Sequence, residues 1–225
     1  DMGFDCGRVD GILGPRTEQA LAEFQRNMGL VSDAVCGPAT VAALDRLGTS
    51  GSTSPTVATV RERENHRRGP RSLVGRRIAV GETGGLDALA RAIVGALATA
   101  GGEVVLLQHP DGSEQAARAN AFAVDAFVGV ALADDRAAPC TTAYYRSPGG
   151  WESAEGRRLA EAVQATVPPV LHATDGGIRG MALPVLRETR MPAVLADIGP
   201  PAVVVERSAE LAGAFTAALR AWVED

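Results

Sequence analysis

R-I-A-V-G-E-T-G-G-L-D-A-L-A-R-A-I-V-G-A-L-A-T-A-G-G-E-V-V-L-L, from Arg77 to Leu107, is the stretch that sets the fold class. Arg77–Val80 reads as a short strand. Leu86–Ala100 places Leu89, Ile93, Val94 and Leu97 on one face of a helix, and Glu103–Leu107 returns to strand. Working outward, the same alternation continues. A helix over Glu114–Ala123 is followed by a buried apolar strand, Ala126–Leu132, and by another strand, Thr142–Tyr145. Ala154–Val167 is a helix carrying Leu159, Ala162 and Val163, after which residues 175–180 read as a turn. Ala193–Ile198 is the next strand and Ala209–Val223 a closing amphipathic helix. Strands separated by helices of this length predict an α/β domain over 76–225, its mostly parallel sheet flanked by helices on both faces.

Upstream the character changes. Gly48 to Pro55 is rich in Ser, Gly and Thr, as flexible linkers are. An Arg-rich stretch follows, with Arg61, Arg63, Arg67, Arg68, Arg71, Arg76 and Arg77 surrounding His66. Residues 48–75 therefore read as a linker, either a solvated connector or a basic patch that meets anionic lipid, a wall polymer or an acidic partner. Thr53, Ser54, Thr56 and Thr59 make it a candidate for phosphorylation.

Residues 1–47 hold an internal repeat. V-D-G-I-L-G-P-R-T-E-Q-A-L (Val9–Leu21) returns as S-D-A-V-C-G-P-A-T-V-A-A-L (Ser32–Leu44), with Asp, Gly, Pro, Thr, Ala and Leu in register at an offset of 23 residues. One structural unit is used twice. Gly-Pro suggests a tight turn, and Thr17 or Thr40 a cap for the helix that follows. Two such units make a small all-helical module.

This repeat resembles the peptidoglycan-binding-domain-1 family. Gly7, Val9-Asp10-Gly11, Gly14, Thr17, Ala20-Leu21 and Phe24-Gln25 match its first half, and Gly29-Leu30, Asp33, Gly37, Thr40 and Ala43-Leu44 its second. The chain opens inside that family's L-G-[YF] turn, at Met2-Gly3-Phe4. With Asp1 in place of an initiator Met, a piece of a longer protein is expected. The α/β part resembles the zinc-dependent N-acetylmuramoyl-L-alanine amidases of the amidase-3 type. Arg118-Ala-Asn120 before Ala126–Val130, the helix from Ser153 to Gln164, and Gly180–Gly199 carry the likeness. C-G-P-x-T, the Arg-rich connector, T-R-M-P and the final D-I-G resemble the actinobacterial CwlM-like branch.

The resemblance implies a zinc held by His, Glu and His, with a second Glu as general base. Those positions are degenerate in this sequence. Strand one runs Val80-Gly81-Glu82 directly into a helix, without the loop that carries the first His. Glu82 lies within a residue or two of the Glu ligand and reads as its remnant. The second His aligns with Ala131. The general base aligns with Asp197, which keeps a carboxylate but shortens its reach by about 1.5 Å, enough to misplace a base. His66, His109 and His172 have no metal-pair spacing.

No zinc is therefore expected, and the leading expectation is a pseudoenzyme that regulates cell-wall synthesis. It would bind peptidoglycan, a muropeptide precursor or a biosynthetic enzyme. The alternatives are an active zinc amidase with an unusual ligand set and a passive wall-anchoring module. The branch implies a cytoplasmic, membrane-proximal location; the active family implies the cell wall. A net charge of −5 gives no reason to expect a nucleic-acid partner, and no apolar run reaches membrane-spanning length. All 22 basic residues are Arg, a bias that fits a GC-rich, actinobacterial genome. Cys6, Cys36 and Cys140 lack metal-ligand spacing; Cys6 and Cys36 are free thiols, or a pair if the two turns of the module lie close.

Overall fold

The computed structural model describes residues 4, 6–8, 11–49, 57–133 and 140–225. The chain divides into two compact units, Asp1–Arg61 and Glu62–Asp225.

In the first unit, α1 (Pro15–Asn27) and α2 (Pro38–Thr49) are the repeated element. Each opens with Pro, whose fixed φ suits a first helical turn and whose missing N–H would have no partner there. The repeat holds down to single hydrogen bonds. Glu18 N donates to Gly14 O at 3.0 Å, and Val41 N donates to Gly37 O at 2.9 Å. Ala20, Phe24 and Ala43 are buried, and the Phe4 ring meets Phe24 edge to face at 5.7 Å.

The expected threonine caps are absent. Gly14 is the α1 cap residue and no side chain caps it. Thr17 lies inside the first turn, too late to cap, and donates instead to Cys6 O at 3.0 Å. Thr40 accepts from Gln25 Nε2 at 3.1 Å. Gln25, only 1% exposed, fastens the two copies together. Its amide nitrogen also reaches Asp33 Oδ1 (2.8 Å) and Val35 O (2.9 Å), while its oxygen accepts from Ala34 N (2.9 Å). The Asp33 carboxylate accepts from Val35 N as well as from Gln25, and these bonds hold its pKa below the ordinary carboxylate value. Cys6 and Cys36 are both exposed and form no disulfide.

The second unit is built on a six-stranded sheet. Its strands are β1 (Arg77–Glu82), β2 (Glu103–Gln108), β3 (Ala126–Leu132), β4 (Cys140–Tyr145), β5 (Asp175–Met181) and β6 (Ala193–Ile198). Their spatial order is β2-β1-β3-β6-β4-β5, parallel throughout except where β4 meets β6. One face packs on α4 (Asp87–Thr99), α6 (Ala154–Leu171) and α9 (Ser208–Glu224), through Leu89, Ile93, Leu159, Leu211 and Phe215. The other packs on α5 (Gly112–Ala121) and α7 (Pro184–Glu188), through Ala119, Val185, Leu186 and Phe127. Burial on both faces explains why β3 reads as an unbroken apolar run.

Six elements differ from the sequence expectation, two of them short helices that were not expected, α7 and α8 (Pro201–Glu206). Residues 175–180 are not a turn but most of β5, an edge strand whose Gly176, Gly177 and exposed side chains hide its character. The α5 helix starts earlier, because Asp111 caps it by accepting from Ser113 N at 2.9 Å. The α6 helix runs through Pro168 and Pro169, which sit in its last turn. Part of the linker is helical, as α3 (Val57–Arg68). Within the second unit, Glu62 accepts from Ser153 Oγ and from Glu155 N (3.3 Å), while the His66 ring packs tilted against Trp222, centroids 4.5 Å apart.

A candidate site at the carboxyl ends of the central strands

β1, β3 and β6 are adjacent and parallel, so their carboxyl ends share one edge of the sheet, where ligands bind in open α/β folds. Glu82, Ala131 and Asp197 all lie on this edge. Ala131 is directly opposite Asp197, and Glu82 is opposite Val130. That one-residue stagger decides the geometry, because successive side chains of a strand point to opposite faces. Ile78, Val80 and Glu82 form one series, on the face of α4, α6 and α9. Ala131 and Asp197 belong to the series of Phe127, Ala193 and Leu195, on the face of α5 and α7. The two carboxylates are thus on opposite sides of the sheet.

Glu82 has local employment. It is 3% exposed, and its Oε1 accepts from Gly84 N at 2.6 Å and Leu86 N at 2.9 Å. It braces the short glycine turn into α4, where the helix dipole favours a negative charge. On the opposite face, the space beside Gly81 is taken. A Cβ there would lie 2.3 Å from Phe127 Cζ and 2.4 Å from Gln115 Oε1. Gln115, 2% exposed, is held by donating to Glu82 O (3.1 Å) and His109 O (2.6 Å). Nothing in the sequence marks this glutamine, one polar residue among several on α5.

Asp197 is partly buried at the end of β6, with Ala131 on one side and Thr141 of β4 on the other. The nearby Cys140 thiol is buried and lies close to the Asp175 and Asp197 carboxylates. Burial first, then those two charges, push its pKa up to about 12, so it is protonated at neutral pH. The histidines are dispersed. His109 follows β2, three strand spacings or about 14 Å from β6. Its Nδ1 accepts from Asp111 N at 3.1 Å in the turn before α5. His172 ends α6 in the left-handed conformation, φ 49°. His66 lies on α3. Among the described residues no three His, Cys, Asp or Glu side chains come together in a metal-binding group. Among the described residues the side chains at this edge do not fit a three-ligand zinc: Ala131 has no donor atom, and Glu82 is on the far face.

The motif residues that carried the likeness have structural work here. Asn120 clamps the turn before β6, donating to Glu188 O (2.8 Å) and accepting from Arg190 N (3.0 Å). Ser153 caps α6 by accepting from Gly156 N at 2.9 Å.

Comparison with known proteins matches residues 1–44 to the PG_binding_1 family, a peptidoglycan binding domain. Over 226 residues the chain is 31% identical to "N-acetylmuramoyl-L-alanine amidase CwlM" of Mycobacterium tuberculosis; the match covers 88% of this chain and 55% of CwlM, so the chain spans about half of that relative. Three solved amidases share the fold. They are an N-acetylmuramoyl-L-alanine amidase of Clostridium difficile 630 (TM-score 0.56, 16% identity, 67% of this chain and 98% of that one), AmiC2 of Nostoc punctiforme (0.56, 19%, 68% and 99%) and Ami1 of Mycobacterium smegmatis (0.58, 13%, 68% and 98%).

Proposed function

We propose that this chain, 31% identical to CwlM over most of its length and matching a peptidoglycan-binding family at its front, is a member of the N-acetylmuramoyl-L-alanine amidase family that has kept the fold and given up its zinc and its hydrolysis. It acts by binding peptidoglycan or a muropeptide precursor, and regulates cell-wall synthesis through a biosynthetic enzyme, at the cytoplasmic side of the membrane. The observation that carries this reading is the strand-end geometry: Ala131 stands opposite Asp197, and Glu82 faces away. Supporting it, Gln115 and Phe127 fill the space at the end of β1, and two backbone amides occupy Glu82. A lone carboxylate leaves a divalent ion mostly hydrated and poorly placed to polarise an amide carbonyl.

The retained Asp197 favours the second reading, an active zinc amidase with a degenerate ligand set. Binding of soluble muropeptides, measured with and without a chelator, separates the two. Chelator-insensitive binding with intact ligand recovered is expected. Binding that requires zinc and ends in cleaved stem peptide contradicts the proposal.

A further inference from the structure

Within the second unit, Arg63 and Arg67 of α3, Arg71 and Arg158 of α6 line one groove of about 380 Å³, together with His66 and Glu155. Arg158 is committed, donating to Glu155 Oε2 and to Asp225 Oδ2, both at 2.7 Å. Arg63, Arg67 and Arg71 are exposed, and none is ion-paired with a carboxylate among the described residues. Arg63 and Arg67 are four residues apart on one helix, where like charges repel. At the groove wall the His66 side chain is 9% exposed and its Nδ1 is buried without a hydrogen-bond partner; its nearest carboxylate oxygen, on Glu155, is 4.0 Å away. Trp222, against which it packs, leaves its Nε1 buried and unpartnered as well.

Three uncommitted guanidiniums beside a buried, unsatisfied imidazole are an arrangement completed by a compact, multiply charged anion. A single carboxylate neutralises one guanidinium. A diphosphate carries several charges on closely set oxygens, which Arg forks grip in pairs. The groove volume falls within the range of small-molecule sites and leaves room for more than a bare phosphate. We infer that this groove is a binding site for a diphosphate group. It lies on α3 and α6, and the inference does not depend on the loss of zinc.

The anion also accounts for the state of His66. Burial, and then the positive charges of Arg76, Arg158 and Arg71, lower its pKa against the opposing pull of Glu155, so the imidazole of the unliganded site is neutral. A bound diphosphate offsets those charges and draws a proton onto the ring. Glu62 faces it from the same helix and Arg76 from the strand side.

The test is a titration of inorganic pyrophosphate into the full chain by calorimetry, with the His66 pKa followed by NMR. Saturable binding is expected, weakened at least about tenfold in R63A/R67A/R71A and weakened by added salt. The His66 pKa should rise on binding. All three arginines are exposed, so the variant should keep the parent melting curve; R71A, outside the helix, serves as a second variant and should weaken binding on its own. No saturable binding, or equal binding by the triple variant, overturns the inference. Two further arms identify the source of the group. UDP-N-acetylglucosamine reports a soluble nucleotide diphosphate, and vesicles with and without undecaprenyl diphosphate report a lipid one. Adhesion to phosphatidylglycerol vesicles without any pyrophosphate binding also counts against the diphosphate.

Discussion

Single side chains explain how a small helical module holds together. Gln25 connects both copies of the repeat through four contacts, so Gln25→Ala strands several buried groups at once. It should cost about 2–3 kcal/mol, read as an earlier thermal transition of the helical unit. Thr17→Ala removes one exposed hydrogen bond to Cys6 O and should cost about 0.5–1.5 kcal/mol. Equal losses from the two variants would contradict the central place given to Gln25. His66 supplies a pH dependence of defined sign. Its folded-state pKa lies below the ordinary 6.5, so the folded chain prefers the neutral ring. That contribution is intact above pH 6.5 and is lost as pH falls toward the folded value. Between pH 7.5 and 5.5 the parent should lose more melting temperature than His66→Phe; parallel curves would remove His66 as the source. Glu62 has the opposite sign, since burial raises its pKa and acidification relieves its buried charge. The comparison with His66→Phe, which leaves Glu62 in place, isolates the imidazole.

At the scale of elements, the ends of helices set what was legible in the sequence. Strands β1, β3 and β6 have the apolar, β-branched content of a doubly covered sheet, and all three were readable from composition and spacing alone. β5 was not, because an edge strand needs neither burial nor alternation, and its glycines resemble a turn. The α3 helix was hidden by its charge: what stabilises it is the docking of Glu62 and His66 on distant residues, invisible in a local window. The positions of Glu82, Ala131 and Asp197 at strand ends were likewise readable by resemblance. The faces they point to were not, since these depend on the register between β1 and β3. The end of α6 makes a sharp prediction. Ala173 N donates to Pro168 O and His172 N to Pro169 O, a closing pair that requires a left-handed residue at His172. His172→Gly should be neutral or stabilise by up to about 1 kcal/mol, whereas His172→Val should destabilise by about 1–2 kcal/mol. Urea unfolding of the two variants checks this, and a reversed order would contradict the assignment.

For the whole molecule, a module that matches a peptidoglycan-binding family precedes a domain with the fold of the solved amidases. Gln115, Phe127 and Glu82 are buried along the strand-end edge of that domain. One histidine is not expected to supply a site: Ala131→His should leave hydrolysis absent, because among the described residues Asp197 shares its face but a third ligand is wanting. Asp197→Ala should likewise leave muropeptide binding within about twofold of the parent, as no reacting group depends on it. The most direct test of the central claim is a metal analysis of the purified full chain, paired with an assay for stem peptide released from muropeptides in the presence of added zinc. The account predicts far less than one zinc per chain and no release above the protein-free control. Stoichiometric zinc, with release that a chelator abolishes, would contradict it.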